Sequence, residues 1–206
     1  MGKQNWKPGN MLYPLPAALV SCGHTPEEYN LITISWTGTI CSDPPMCYIS
    51  VRPGRHSYDI IKRTGEFVIN LTTEEMAEVT DWCGVKSGRD FDKFKETGLT
   101  PAPASVVQCP IVVESPVSIE CRVTEIKPLG SHDMFMAEVV NVIADDRYID
   151  PETDVFSLIR SKPIAYSHGH YYSLGKEIGR FGYSVMKPKT KKRLARKRRK
   201  PTSGKK

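Results

Sequence analysis

The chain has 206 residues, 39% of them hydrophobic and 25% charged. That composition excludes wholesale disorder, and the length suits one good-sized domain that buries roughly 70% of its unfolded surface. No apolar run approaches the ~20 residues that span a bilayer. The start, MGKQNWKPGNMLYPLP, carries neither a secretory apolar region nor the Ser/Thr of a myristoylation signal, so a cytoplasmic protein is expected. The net charge of +6 divides sharply: residues 187–206 hold 12 of the 29 Lys/Arg and no acid. The first 186 residues therefore hold 17 bases against 23 acids, a net of −6. Nucleic-acid binding, if any, belongs to the tail.

In chain order, 17–23 and 30–36 read as strands joined by a polar turn, and 46–52 as a third. Pro53-Gly54 then introduces a short helix from Ser57 to Thr64, with Ser57 as its cap. EFVINL (66–71) is a strongly apolar strand. Met76, Val79 and Cys83 recur at helical spacing within 74–83, behind acids that suit a helix N-terminus. Residues 90–97 form another short helix ending at Gly98. The Pro-rich stretch 99–110 reads as a surface excursion. Val117, Ile119, Cys121 and Val123 alternate with Ser118, Glu120, Arg122 and Thr124, the mark of a half-buried strand. FMAEVVNVI (135–143) is apolar on both faces, and 164–174 is a last aromatic strand. About seven strands with few short helices indicate a mainly β, α+β protein built on an antiparallel barrel. The body is expected to end near Met186, followed by a basic, disordered tail over 187–206.

Six cysteines show no C-x-x-C or zinc-ligand spacing and are expected to be reduced, with no metal bound. His168 and His170 share a strand face in this reading but lack further ligands. There is no dinucleotide-binding glycine fingerprint, P-loop, nucleophile elbow or H-E-x-x-H. The positive signal is Ser50-Val-Arg-Pro-Gly-Arg-His-Ser57, where a strand ends in a hydroxyl and a guanidinium and turns into a helix. Such a junction offers free N–H groups and charged donors to a phosphate; an ordinary turn with surface arginines would read the same. On their own residues, Lys93 reads as a solvated helix lysine, His132 as a turn residue and Trp36 as core.

The order and spacing of Asn30 to Trp36, Pro44-Pro45, Gly65 to Asn70, Ser87-Gly88-Arg89 with Asp92-Lys93-Phe94, and Gly130 with His132 resemble the flavin reductase-like family of FMN-binding split barrels, especially its flavoredoxin-like members. The resemblance runs from about Pro14 to about Tyr183. It implies a six-stranded split barrel with short covering helices over residues 1–186, a homodimer, and FMN at the barrel edge. It places Asn30, Trp36 and Thr37 near the isoalloxazine, Ser50, Arg52 and Ser57 near the ribityl and phosphate groups, and Lys93 and His132 around the ring, where they would tune it. His56 stands where an aromatic residue is common. The implied activity is hydride transfer from NADH or NADPH to bound FMN, with electrons passed to free flavin, a metal chelate or a protein acceptor. A non-enzymatic FMN electron carrier is the alternative, and a barrel tethered to nucleic acid by its tail is a third. Tyr166, Tyr171 and Tyr172 suit core packing, a pocket wall or a dimer seam.

Overall fold

The computed structural model describes residues 2–188 and 190. It divides into two compact units, residues 1–174 and 175–206. The first is a mainly antiparallel β structure with few helices. Twelve strands are present among the described residues: β1 (Leu15–Pro16), β2 (Ala18–Cys22), β3 (Asn30–Ile34), β4 (Thr37–Ser42), β5 (Pro45–Val51), β6 (Glu66–Leu71), β7 (Pro101–Pro103), β8 (Pro110–Val112), β9 (Val117–Pro128), β10 (Asp133–Ala144), β11 (Ile164–Ser167) and β12 (His170–Ser173). Three α-helices of the first unit accompany them: α1 (His56–Thr64), α2 (Ala77–Val85) and α3 (Lys93–Thr97).

Seven strands form the main sheet in the order β3-β2-β6-β9-β10-β5-β4, against the six expected. The one the sequence reading passed over is β4. Its ThrGlyThr start and the following SerAspProPro look like turn chemistry, yet it pairs with β5 as the sheet's edge. Alternation explains how the sheet is covered. Ala18, Val20 and Cys22 of β2 face a central core shared with Ile32, Ile49, Val51, Phe67, Phe135 and Ile61. Leu19 and Leu31 point the other way, under Met76, Cys83, Phe94 and Leu99 from the α2–α3 region. Both sides of β2 and β3 are thus packed, which fits their unbroken apolar character.

Four expectations need correcting. Ser57 does not cap α1: the cap residue is Arg55, and Ser57 is buried inside the first turn. The stretch 99–110 is not wholly a surface excursion. It contributes β7, which pairs with β8, and it buries Val107 and Cys109 against Val68. That lid in turn buries the face of β9 expected to meet water, so Ser118 and Glu120 are 2% and 0% exposed. Residues 164–174 form a hairpin rather than one strand, because His168 (φ 50°) and Gly169 (φ 84°) both turn left-handed between β11 and β12. Such a pair is the signature of a two-residue hairpin turn. His168 therefore lies in the turn, and the shared strand face with His170 does not exist.

All six cysteines are free. Cys47 and Cys121 pack together in the core, their Sγ atoms 3.5 Å apart. In the second unit, Ile178, Phe181, Tyr183 and Val185 are exposed. The disordered tail expected over 187–206 lies, apart from residues 187, 188 and 190, outside the described residues. No helix among the described residues is long and apolar enough to cross a membrane.

Candidate flavin site

Two adjoining cavities open beside the β3–α1–α2 region. One, about 240 Å³, is lined by Asn30, Arg55, His56, Ser57, Gly88, Arg89 and Lys93 among others. The other, about 370 Å³, is lined by Trp36, Ser50, Arg52, Arg55, His132, Tyr166 and Tyr171 among others. Ile32 and Arg55 belong to both, so the two are ends of one groove.

The smaller cavity is polar and cationic. Asn30 opens β3 and is buried; its Nδ2 donates to Ser57 Oγ at 2.7 Å. This bond explains why Ser57 is buried within α1 rather than capping it. Gly88 completes the wall. A Cβ there would collide with the Asn30 side chain and with His56, so only glycine lets the 86–89 loop close on the cavity. Arg89 Nη1 donates to Gly54 O at 2.9 Å, tying that loop to the turn before α1.

Lys93 is the floor of this cavity. Asp92 caps α3 by accepting from Lys95 N, which puts Lys93 at the first helical position, where it is only 3% exposed. Its Nζ donates to Cys83 O at 2.6 Å. Its nearest partners of opposite potential charge are the thiols of Cys83 and Cys22. Burial pushes those thiols up to about 11 and about 12, so both are neutral. Burial, with Arg55 nearby, accordingly lowers the Lys93 pKa from its ordinary value. None of the four salt bridges among the described residues involves Lys93, Arg52, Arg55 or Arg89. A buried cation facing an open cavity without an anion is costly unless something anionic meets it.

The larger cavity is more aromatic. The Trp36 and His132 rings lie 4.4 Å apart, tilted by 41°. His132 is held by Ser131 Oγ at 2.9 Å and by Arg52 Nε at 3.4 Å. The next residue, Asp133, accepts from Tyr58 of α1 at 2.6 Å, which fixes the His132 loop against the helix. Burial, then Arg52 and Arg55, lower the His132 pKa. Burial, then Arg89 and Lys93, do the same to His56. Both imidazoles thus report a concentration of positive charge along the groove.

The geometry brings together seven of the eight residues singled out from sequence: Asn30, Ser57 and Lys93 at one end, Trp36, Ser50, Arg52 and His132 at the other. Thr37 lines neither cavity; its Oγ1 donates to Tyr48 O within the β4–β5 pair. Arg55, from the Ser50–Ser57 segment, also lines the groove, as do Asp81, which no motif singles out, and Tyr166 and Tyr171, for which core packing is the first expectation. Tyr171 donates to Asp81 at 3.1 Å, a link between β12 and α2 that no local pattern announces.

Residues 11–175 match the Flavin reductase like domain family. The chain belongs to that family. Flavoredoxin of Desulfovibrio vulgaris (Miyazaki F) superposes with a TM-score of 0.82 at 25% identity, over 90% of this chain and 100% of the other. An FMN-binding protein from Thermus thermophilus superposes at 0.72 and 22% identity, over 87% and 98%, a likeness of fold. An NADPH-flavin oxidoreductase of Streptomyces viridifaciens is 25% identical over 111 residues, 53% of this chain and 56% of its own. An uncharacterised protein of Pyrococcus abyssi is 33% identical over 130 residues, 63% of this chain and 74% of its own. The seven-stranded sheet with its few covering helices is thus the flavin reductase-like split barrel.

The donor set fits a phosphorylated aromatic cofactor. Hydroxyl, amide and cationic groups gather at one end of the groove and the Trp36 and His132 rings at the other.

Proposed function

We propose that the protein is an FMN-binding oxidoreductase that accepts hydride from NADH or NADPH and delivers electrons to an external acceptor. Lys93 carries this reading: a buried ammonium flanked by neutral thiols at the floor of an open groove. Ser57, Arg55 and Arg89, at the start of α1 and on the 86–89 loop, would hold the phosphate, where the helix N-terminus adds its positive end. Asn30 and Lys93 would meet the polar edge of the ring. Trp36 and His132 would cover its apolar face, and Ser50 and Arg52 would line the ribityl path. FMN supplies the hydride and electron chemistry when bound. The chain's own residues bind and orient it, and Lys93 offers a positive charge that favours negative charge on the reduced ring. The proposal includes a homodimer, as the resemblance implies, in which the partner would cover the apolar outer part of β10.

The test is anaerobic mixing of the FMN-loaded protein with NADH and, separately, NADPH. Rapid bleaching of the oxidised flavin band by either one is expected. No bleaching by either nicotinamide, with normal reduction by dithionite, would make the protein an electron carrier instead. Light scattering checks the dimer.

A further inference from the structure

Three side chains that line neither end of the groove converge elsewhere in the first unit. His24 follows β2, Glu66 opens β6, and Cys109 lies just before β8. One ligand atom from each lies within 4.8 Å of the other two. Their wide separation in sequence is why no ligand spacing announces them.

The local bonds show which atoms are left to meet. Arg122 engages Glu66 Oε1, at 3.3 Å from Nη2. Glu66 Oε2 accepts from Gln108 N at 3.0 Å and lies 3.2 Å from His24 Nε2. The last contact is close enough for an ion pair, yet Nε2 is a buried atom with no hydrogen-bond partner. The two atoms thus meet the distance of an ion pair without making a hydrogen bond. A buried polar atom left in this state is disfavoured. Glu66 Oε2 stands beside it, and the Cys109 sulfur belongs to the same cluster.

The backbone holds the imidazole in place. Gly23 adopts φ 101°, and a Cβ there would run into the Glu28 backbone. Only glycine makes this turn, and the turn delivers His24 to Glu66. The His24 side chain is 25% exposed, so the cluster lies close to the surface.

One imidazole nitrogen, one carboxylate oxygen and one thiol sulfur make a donor set for a borderline divalent cation. We propose that His24, Glu66 and Cys109 bind a single zinc-type divalent cation, with water completing a four-coordinate site. On binding, the metal–sulfur bond replaces the Cys109 S–H bond and the proton leaves to solvent. The carboxylate and the thiolate then balance the two positive charges, and His24 gains the partner its ring nitrogen lacks. Such an ion would tie the end of β2 and the start of β6 to the lid over 104–109, and so act as a staple for the fold.

Cobalt(II), the spectroscopic stand-in for zinc, tests this on the full-length protein. Ligand-field absorption in the red, beyond the flavin bands, should reach a plateau at about one cobalt per chain and be displaced by zinc. Zinc at about a hundred times its Kd should raise the melting temperature by roughly 5–10 °C over the protein in chelator. His24→Gln and Cys109→Ser should each remove the red bands and the zinc-dependent shift. His24 is part-exposed, so its variant should fold even if the Cys109 variant does not. Absence of the bands in the wild-type protein, or their persistence in His24→Gln, would overturn the proposal.

Discussion

Glu120 on β9 and Lys93 on α3 are both removed from water, but their surroundings differ. The Glu120 carboxylate accepts from the backbone N–H groups of Ser105, Val106 and Val107 and from Asn141 Nδ2, at 2.6–3.0 Å. Burial alone would raise its pKa; these bonds outweigh burial and hold it below the ordinary value. Lys93 has Cys83 O and two neutral thiols, and it borders a cavity. A buried charge whose bonding capacity is filled by its own chain organises a fold. One whose capacity is left facing a cavity is placed for a ligand. The difference separates structural from functional burial more clearly than the degree of burial does.

The largest effect expected follows from the filled site. Glu120→Ala strands the backbone donors of Ser105, Val106 and Val107, the last of them buried, and the Asn141 amide, at a cost of about 3–5 kcal/mol. Thermal unfolding should show a midpoint lowered by roughly 6–20 °C, with FMN affinity of the folded fraction unchanged. Because the Glu120 pKa is lowered in the folded state, its contribution is present above the ordinary glutamate pKa of about 4.3. It is lost as pH falls through the folded value. A wild-type protein whose acid destabilisation matches that of Glu120→Ala would break the comparison.

Lys93→Met should do the reverse. Replacing a buried ammonium by an apolar side chain of similar length removes an unpaired charge, so stability without ligand should hold or rise. FMN affinity should fall about 10- to 150-fold, the loss of one charge-assisted contact of about 1.5–3 kcal/mol. The flavin midpoint potential should fall as well, since the lost cation favours only the reduced form. The depressed Lys93 pKa adds a sign: in the wild type, affinity should decline as pH rises through that pKa, earlier than for an ordinary lysine. An FMN-loaded Lys93→Met with unchanged potential would separate Lys93 from the ring.

The two ends of the groove give a finer test. Ser57→Ala and Arg89→Ala should weaken FMN by about five- to tenfold, about 1–1.4 kcal/mol, and weaken riboflavin less. The sequence reading puts Arg52 at the phosphate too, but its guanidinium leans on His132 in the aromatic cavity. Arg52→Ala should therefore weaken FMN and riboflavin alike. A phosphate-dependent loss at Arg52 would move the phosphate to the other end.

What the sequence made legible follows the range of the forces involved. The strand Glu66–Leu71 could be read to the residue because its apolar run carries its own signal. So could the end of α3 at Gly98, whose φ of 70° is a backbone requirement. The strand β4 could not, since its pairing with β5 overrides turn-like residues. The burial of Glu120 was hidden as well: its alternation with Cys121 predicts a wet face, and only the lid from 104–109 makes it dry. For the site, the motif residues Asn30, Ser57 and Lys93 could be named, yet their bonds could not. The Asn30–Ser57 contact spans strand and helix, and the neutral thiols around Lys93 become visible only when α2 and β2 are packed together.

The smallest effect should be at His132, where part-exposure weakens every electrostatic contribution. Its pKa is lowered by burial and by the neighbouring guanidinium groups of Arg52 and Arg55. It is therefore neutral at pH 7 and gains its proton only below the ~6.5 of a free histidine. An anionic ligand in the groove offsets the guanidinium field and draws the titration back up, so binding should take up a fraction of a proton on acidification. FMN affinity should consequently rise as pH falls through this range, by less than the tenfold that one pKa unit allows. His132→Gln keeps a polar side chain beside Trp36 and removes the titration, so it should flatten the slope and leave the affinity at pH 8 nearly unchanged. The ring proton of His132, assigned by its loss in that variant, should titrate below free histidine without FMN and move upward with it. If the titration does not respond to FMN while Lys93→Met still loses affinity, the ligand's charge lies at the Lys93 end alone, and the aromatic end serves only to stack.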